Sequence, residues 1–236
     1  MLLGGLQKTT LIDFPGRVAC TVFTIGCNFC CSFCHNKDLV SLKSFKKAKL
    51  KVISEDYFFE FLKKRKKILD GVCITGGEPT IWKDLADFCE KIKDLGFEVK
   101  LDTNGSNPKM LKELIEKKLV DFIAMDIKTV FEDYSKAIKV KLLIPKKSIK
   151  LILQSGLEYE FRTTIVPGIH DKKNLACLAK QLKKLKTDFN WILQRFQPKN
   201  CLDPAFLKIK PYNSREMKAI LADVCKWLPK TKIRGI

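Results

Sequence analysis

Short apolar runs alternate with longer amphipathic stretches along the chain from residue 18 onward. The short runs are rich in β-branched residues, which is typical of buried strands. The longer stretches repeat their apolar residues at the spacing of a helix that packs on one side. The pattern predicts six strands, at 18–24, 71–75, 98–103, 122–127, 160–165 and 191–196, and six helices, at 54–69, 83–95, 108–118, 146–155, 172–186 and 214–227.

Strands that alternate with helices favour parallel strands joined by helical crossovers. Six strand-helix units are fewer than the eight that close a TIM barrel. We therefore predict an α/β fold built as an open, partial (β/α)6 TIM-type barrel, whose wider side opening would admit a macromolecular substrate. The chain shows no linker or internal repeat, so we expect a single domain over 1–236, with 41–51 as a lysine-rich surface loop.

Residues that could carry chemistry follow the predicted strands or lie near their ends, which is where the active sites of barrel enzymes collect. Three cysteines follow the first strand, and a Gly-Gly-Glu-Pro segment follows the second. The later strands carry polar or charged side chains, namely Asp102, Thr103, Asn104, Asp126, Lys128, Arg162 and Gln197. We therefore expect one site at one rim of the barrel.

The cysteine loop is the most informative of these segments. Cys27, Cys31 and Cys34 are spaced CxxxCxxC and offer three thiolates to one metal centre. A four-iron four-sulfur (4Fe-4S) cluster normally takes four thiolates, so three would leave one iron open to a ligand. Cys30 lies between them, and we treat it as a non-ligand.

Two other interpretations of this loop are weaker. Residues 31–35 match the CxxCH pattern of haem attachment, which requires export, and the chain has no export signal. Four thiolates that include Cys30 could hold zinc, but structural zinc usually draws on two separated ligand pairs. His35 and His170 are expected to satisfy local backbone groups, and we assign them no catalytic role.

Three further features carry less specific signals. The pair Gly76 and Gly77 after a strand often only permits a tight turn. Two carboxylates at adjacent strand ends, Asp102 and Asp126, need a cation between them, which could be Lys128, a bound monovalent metal or a cationic ligand. Arg162 lies among apolar neighbours and needs an anion. Asp102 and Asn104 could instead cap the next helix.

Composition narrows the choice of partners. The chain has 45 Lys and Arg against 26 Asp and Glu, a net charge of +19, which would attract an acidic partner. Only six of the 45 are Arg, the residue on which base and phosphate recognition depends most. We therefore interpret the lysines as a solvated surface and expect no nucleic-acid partner.

The sequence also indicates a compartment. No stretch reaches the roughly 18 apolar residues that span a bilayer, and residues 1–16 lack the pattern of a secretory signal. We therefore expect a cytoplasmic protein without a membrane partner. Ten cysteines in a reducing compartment favour metal ligation for the clustered ones.

The cysteine spacing together with Gly76-Gly77-Glu78-Pro79 resembles the radical S-adenosylmethionine (SAM) superfamily over nearly the whole chain. The resemblance implies a radical SAM core with one 4Fe-4S cluster on Cys27, Cys31 and Cys34, and with SAM at the open iron. An electron from the cluster would cleave SAM to methionine and a 5′-deoxyadenosyl radical. That radical would take a hydrogen atom from the substrate.

The resemblance also implies roles for the SAM contacts. The segment Gly76, Gly77 and Glu78 would meet the amino group of SAM, and Arg162 would bind its carboxylate. Phe33 would pack on the adenine, although it could equally be a loop hydrophobe. The rest of the implied site is a monovalent-cation site at Asp102, Thr103 and Asp126, and a cofactor contact at Lys128. Gln197 stands where some relatives use a histidine.

Residues 101–105 (LDTNG) and 125–128 (MDIK) resemble the corresponding segments of the glycyl-radical-enzyme activating enzymes. Three further segments resemble, within that group, the activating proteins of anaerobic ribonucleoside-triphosphate reductase. These are 5–16 (GLQKTTLIDFPG), 34–36 (CHN) and 233–235 (IRG). The resemblance implies abstraction of a glycine Cα hydrogen from the large subunit of that reductase. A small electron-donor protein such as a flavodoxin or ferredoxin would reduce the cluster.

Two alternatives stay open. The chain could be a radical SAM enzyme that acts on a small molecule, of the 7-carboxy-7-deazaguanine synthase type, which is also short and has a single cluster. It could also be a basic module that binds zinc or nucleic acid, whose affinity would fall steeply with salt. The second alternative does not require the polar residues that we expect at one rim.

Overall fold

The computed structural model describes residues 1–140, 145–186 and 188–236. These residues form two compact units. The first comprises Met1–Asn28, Asp38–Ala124 and Lys147–Glu158, and the second comprises Phe29–Lys37, Met125–Lys146 and Tyr159–Ile236. No helix in the described residues is long and apolar enough to cross a bilayer. That 1–236 is a single domain stays a prediction.

The first unit contains four complete strands and the start of a fifth, and strands that are consecutive in the chain are neighbours in the sheet. They are β1 (Leu3–Thr10), β2 (Ala19–Thr24), β3 (Gly71–Gly76), β4 (Glu98–Thr103) and β5 (Phe122–Asp126). β1 is antiparallel to β2, whereas β2, β3 and β4 run parallel. Because parallel strands end at the same edge of a sheet, the loops that follow β2, β3 and β4 lie side by side.

The second unit contains the end of β5 and three further strands, of which only the first residue of β6, Glu158, belongs to the first unit. These are β6 (Glu158–Ile165), β7 (Trp191–Arg195) and β8 (Lys232–Arg234), and β6, β7 and β8 pair in parallel and in chain order. The ring of Phe161 stacks on that of Phe189, with 4.4 Å between the ring centroids. The Trp191 indole N–H donates to the Thr163 hydroxyl at 2.9 Å, so both of these buried polar groups are hydrogen-bonded.

Helices connect the strands and cover the sheet. In chain order they are α1 (Leu42–Lys47), α2 (Glu55–Lys63), α3 (Leu85–Asp94), α4 (Pro108–Glu116), α5 (Tyr134–Ile138), α6 (Lys146–Gln154), α7 (Lys172–Lys183) and α8 (Ser214–Cys225). Several of their starts are fixed by side-chain caps. Asn107 accepts from the backbone N–H of Met110 with Pro108 in the first turn, and Asn213 and Glu216 form a reciprocal capping box.

The six predicted strands correspond to β2 through β7, and each predicted helix contains one observed helix, so the α/β prediction is confirmed. Two strands were missed. β1 has consecutive glycines and little apolar alternation, and β8 has only three residues, so neither gives a strand signal. Helix α5 was also missed, and α2 ends at Lys63, six residues before its predicted end.

The prediction of a surface loop over 41–51 was wrong, because helix α1 lies there. Ser41 caps this helix by accepting from the backbone N–H of Ser44. Phe45 is buried and packs in a cluster with Ile25 and Leu39. One buried aromatic among exposed lysines is a weak signal, which explains the error.

Candidate cofactor site

The loop after β3 packs directly on the backbone that leads into Cys27. The backbone N–H of Gly77 donates to the carbonyl of Thr24, and that of Glu78 donates to the carbonyl of Gly26, both at 2.8 Å. A Cβ on Gly77 would lie 2.0 Å from the Gly26 carbonyl oxygen. Gly76 has φ +109°, and a Cβ there would lie 2.5 Å from the backbone nitrogen of Thr24. Both glycines are therefore required for this close approach.

The carboxylate of Glu78 joins the end of β3 to the end of β4. Its Oε1 accepts from the hydroxyls of Thr80 and Thr103, at 2.5 and 2.6 Å, and from the backbone N–H of Thr80. Its Oε2 accepts from the backbone N–H of Asn104 at 2.6 Å. Burial raises the pKa of Glu78, and these uncharged donors oppose that rise without overcoming it.

These contacts bear on the predicted role of Glu78 toward an ammonium group. Three of the four hydrogen bonds fall on Oε1 and one falls on Oε2. A carboxylate oxygen has two lone pairs, so Oε2 has capacity for one more donor. Contact with the SAM amino group therefore stays a prediction that the geometry permits.

Asn104 connects this carboxylate to the cysteine loop. Its side-chain Nδ2 donates to Oδ1 of Asn28 at 3.0 Å and lies 4.0 Å from Sγ of Cys27. Asn28 in turn donates to the hydroxyl of Ser106 at 2.8 Å. Neither Asn104 nor Asp102 caps α4, since Asn107 does so. Sequence reasoning missed Asn28 and Ser106, whose only signal is that they flank motif residues.

Asp102 lies at the end of β4 and is paired within the first unit. One of its carboxylate oxygens binds the ammonium of Lys100, and the other accepts from the Thr75 hydroxyl at 3.2 Å. Lys100 is only 1% exposed. Sequence reasoning missed this lysine, although a lysine two positions before Asp102 must share its strand face.

In the second unit, the cysteine loop places its thiols in different surroundings. Cys31 is buried, Cys34 is half-buried and Cys30 is exposed. The backbone N–H of Cys30 donates to the carbonyl of Ile138 at 3.0 Å, and that of Cys34 donates to the carbonyl of Cys31. This orientation suits Cys31 and Cys34 as ligands and Cys30 as a bystander. Cys27, which is half-buried, belongs to the first unit.

The thiols suit an iron-sulfur cluster. All ten cysteines lie in the described residues and carry thiols. Burial raises the pKa of Cys31 to about 11, and Lys128 is the nearby charge that lowers it, so metal ligation would release a proton. Among described residues no three His, Cys, Asp or Glu side chains converge on one ion. A cubane binds each thiolate at a different iron, so its ligands need not converge.

Asp126 forms a charged cluster with two cations in the second unit. Its carboxylate contacts Nζ of Lys128 at 2.8 Å and Nε of Arg162 at 2.9 Å. Burial disfavours the carboxylate, but Arg162 and Lys128 outweigh it and hold the pKa of Asp126 well below its usual range. Burial likewise opposes the charge of Lys128, and Asp126 and Cys31 raise its pKa. Asp126 and its two cations, Lys128 and Arg162, therefore stay ionised at neutral pH.

Two buried residues that sequence reasoning did not place here fix the backbone of Lys128. His170 accepts from the backbone N–H of Val166 at Nδ1, so its Nε2 donates to the carbonyl of Lys128 at 2.8 Å. The hydroxyl of Tyr134 lies 3.4 Å from the backbone nitrogen of Lys128. Burial lowers the pKa of His170 to about 4, so the ring is neutral. The expectation that His170 satisfies backbone groups is confirmed.

The remaining candidates are placed as follows. Phe33 is buried, and its adenine contact stays a prediction. Burial lowers the pKa of His35, and a hydrogen bond between its ring and the backbone of Gln197 opposes this effect. The predicted residues thus divide between the units, with Cys27, Gly76, Gly77, Glu78, Asp102 and Thr103 in the first and Cys31, Phe33, Cys34, Asp126, Lys128 and Arg162 in the second.

Comparison with known proteins identifies the family to which this chain belongs. Residues 21–177 match the model of the radical SAM superfamily. A protein of Methanocaldococcus jannaschii that is provisionally named a glycyl-radical enzyme activating enzyme is 32% identical over 244 residues, which cover 100% of this chain and 96% of that protein. A pyruvate formate-lyase-activating enzyme of Clostridium pasteurianum is 29% identical over 77% of this chain and 76% of its own length.

A solved structure shares the fold. A domain of the pyruvate-formate lyase-activating enzyme from Bacteroides vulgatus superimposes with a TM-score of 0.56 at 17% identity, covering 70% of this chain and 99% of that domain. The predicted fold class, an α/β fold of the radical SAM type that forms a partial barrel, is thereby confirmed.

Proposed function

Because this chain belongs to the radical SAM superfamily and its glycyl-radical enzyme activating branch, we propose that it abstracts a glycine Cα hydrogen from a partner enzyme. The observation that carries the proposal is the end-to-end match to the M. jannaschii relative. The chain keeps the three-cysteine loop and the Gly-Gly-Glu-Pro segment that this chemistry needs.

The 4Fe-4S cluster and SAM supply the radical chemistry, and the protein supplies binding and orientation. We propose Cys27, Cys31 and Cys34 as the cluster ligands. Their support is the spacing, the burial of Cys31, and the outward position of Cys30. Asn104 would hold Cys27, and Lys128 would stabilise the thiolate of Cys31.

The SAM contacts follow from the charges of these side chains. Glu78 carries a carboxylate with capacity at Oε2 and would accept the SAM ammonium. Arg162, whose Nε donates to Asp126 and whose Nη1 lies 4.0 Å from a carboxylate oxygen of Glu160, would bind the SAM carboxylate. Gly76 and Gly77 would present the backbone of the same loop. Lys128 would contact SAM from a backbone position fixed by His170.

For the partner, we propose the large subunit of anaerobic ribonucleoside-triphosphate reductase. The support is the segment 5–16, whose exposed tip is apolar, since Leu11 is 72% exposed and Ile12 is 80% exposed. Exposed apolar side chains on a loop suit contact with a protein partner. Arg234 of the segment 233–235 gives less support, because it binds this chain's own Glu160 through two hydrogen bonds.

The test is anaerobic reconstitution with iron and sulfide, followed by reduction with SAM and electron paramagnetic resonance. We expect a glycyl doublet when the reductase subunit is added. Pyruvate formate-lyase serves as the comparison partner and should give little signal. A doublet on that enzyme alone would replace the proposed partner, and no doublet on either would reject both partners.

A paired variant locates the partner contact. Leu11→Ser with Ile12→Ser should lower the yield of glycyl radical while SAM cleavage by the reduced protein, measured without partner, stays unchanged. An unchanged radical yield would contradict the role of this loop. Deoxyadenosine that forms with a small molecule and without a protein partner would favour the 7-carboxy-7-deazaguanine synthase type instead.

The electron donor and the location are also proposals. A small flavodoxin or ferredoxin would reduce the cluster, and the net charge of +19 suits an acidic protein of that kind. The cytoplasm suits a chain whose ten cysteines carry thiols.

A further inference from the structure

We propose that the ammonium group of Lys100 is the built-in counter-cation of Asp102, in place of the monovalent metal ion that the sequence resemblance implies at that carboxylate. The inference goes beyond the proposed function and needs no particular substrate. It concerns how the protein balances the charge at the end of β4.

Lys100 lies on β4 two positions before Asp102, so both side chains project from the same face of the strand. The ammonium binds Oδ1 of Asp102. It also lies 3.7 Å from Sγ of Cys73, the residue opposite Lys100 on β3. It lies 5.7 Å from the centre of the Phe122 ring on β5. A carboxylate, a thiol and an aromatic face thus surround an ammonium with three N–H donors.

The position of the Lys100 ammonium makes the binding of a metal ion at Asp102 unfavourable. An ammonium attached to the same strand has a high effective concentration at Asp102, and a dissolved ion must compete with it. A metal ion beside a buried ammonium would also meet repulsion between like charges in a region of low dielectric.

The other residues of the implied cation site are also engaged. The hydroxyl of Thr103 donates to Glu78 and accepts from the backbone N–H of Gly105 at 3.0 Å. Asp126, in the second unit, has Lys128 and Arg162 as its own cations. Each of the two carboxylates is therefore balanced by side chains of its own unit.

The test uses the full chain without cluster or SAM, so its result does not depend on activase function. The wild-type protein is melted in potassium, sodium or choline chloride at equal ionic strength. Choline is too large to occupy a site between protein oxygens. We expect the same melting temperature in all three salts, and a fall of several degrees in choline would overturn the proposal.

The variant Lys100→Met removes the ammonium and keeps an apolar side chain of similar length. In choline it should melt roughly 10 °C lower than wild type, because Asp102, whose side chain is 15% exposed, then loses the ammonium that binds its carboxylate. Potassium or sodium should restore much of the loss, since a small ion can now take the vacated position. Such ion-specific recovery is not expected if Lys100 is only a structural residue.

The double variant Lys100→Met with Asp102→Asn is the matched control. It lacks both charges and should melt alike in all three salts. Recovery of the single variant by choline as well as by potassium, or by neither, would overturn the proposal. If the single variant is isolated unfolded, it is refolded in each salt, and refolding that fails in potassium as it does in choline would overturn the proposal as well.

Discussion

Glu78 and Asp126 are carboxylates at or just past the carboxyl end of a strand, yet their surroundings differ in kind. Glu78, in the first unit, is held by hydroxyl and backbone donors that carry no charge. Asp126, in the second unit, is held by Lys128 and Arg162. The pKa is raised at Glu78 and lowered at Asp126. Burial disfavours both carboxylates, and only charged partners overcome it.

The difference suggests that the two carboxylates have different roles. A carboxylate with neutral donors still lacks a counter-charge and suits an incoming ammonium. A carboxylate with two cations is already balanced and suits the positioning of those cations. The contrast between the Glu78 group (Glu78, Thr80, Thr103 and Asn104) and the Asp126 group (Asp126, Lys128 and Arg162) agrees with the contacts proposed above, the SAM ammonium for Glu78 and the SAM carboxylate for Arg162.

The largest effect is expected at the three proposed cluster ligands, one of which belongs to the unit of Glu78 and two to the unit of Asp126. Cys27 lies beside Asn104 of the Glu78 group, and Cys31 lies near Lys128 of the Asp126 group. Changing Cys27, Cys31 or Cys34 to Ala should abolish cluster assembly and SAM cleavage alike, because each supplies one iron ligand. Iron and sulfide content and deoxyadenosine formation measure this.

The control for that series is Cys30→Ala, which removes an exposed thiol from the same loop. It should retain the cluster and SAM cleavage. Equal loss from Cys30→Ala would show that the ligand assignment is wrong.

The dependence of folding stability on acid pH should also differ between the two groups. His170, which binds the backbone of Lys128 in the Asp126 group, is tested first. The folded chain keeps His170 neutral down to about pH 4, whereas the unfolded chain protonates it near 6.5. The unfolded state therefore binds more protons in this window, and stability falls by at most about 3 kcal/mol as the pH drops from 6.5 to 4. Urea unfolding of His170→Asn should show a lower stability at pH 7 and a shallower loss on acidification.

Glu78 acts in the opposite direction. Its raised pKa means that the folded chain binds the extra proton above pH 4.5, so its contribution falls as the pH rises through the folded value. Glu78→Gln should therefore make the acid loss steeper than in wild type. Parallel pH profiles for the His170 and Glu78 variants would remove the electrostatic contrast between the two groups.

Arg162→Ala tests the cationic group directly. Loss of a hydrogen bond between charged partners, worth roughly 1.5–3 kcal/mol, should weaken SAM binding by about 10-fold to 100-fold with iron content unchanged. Arg162→Lys is the matched control and should recover part of the affinity. Isothermal titration with SAM would settle the point, and unchanged affinity in Arg162→Ala would refute the carboxylate contact.

The smallest effect is expected at Arg234, which binds Glu160 on β6 and forms no ion pair with Glu78 or Asp126 among the described residues. Arg234→Ala should lower the free energy of unfolding by about 1 kcal/mol, because the arginine is 43% exposed and its buried partner Glu160 keeps Arg162 at 4.0 Å. Radical transfer to the partner should not change if the arginine only holds β8. A selective loss of partner activation at unchanged stability would instead place segment 233–235 at the partner interface.

Much of the architecture could be predicted from the sequence because its signals are local. Buried parallel strands read as apolar runs, and the motif residues follow those runs at the expected points. The six predicted strands and the positions of the cysteine and glycine segments depend on nothing further. β1 was missed because its glycines and polar residues give no alternation.

The details of the site could not be predicted because they depend on contacts distant in the chain. From the sequence, a lysine such as Lys100 is expected to lie on the surface. It is nevertheless buried, because its side chain shares a strand face with Asp102 and lies near the Phe122 ring. His170 reaches the carbonyl of Lys128 across 42 positions. No local pattern encodes such pairs, so a single sequence cannot supply them.

The contact between Gly77 and Gly26 has a practical consequence for anyone who redesigns this protein. Because a Cβ at residue 77 would lie only 2.0 Å from a carbonyl oxygen of the other loop, the contact leaves no room for a side chain there. A mutant library aimed at new substrates should therefore leave 26 and 77 unvaried and place its diversity elsewhere. A side chain at either position would require the backbone to change its conformation.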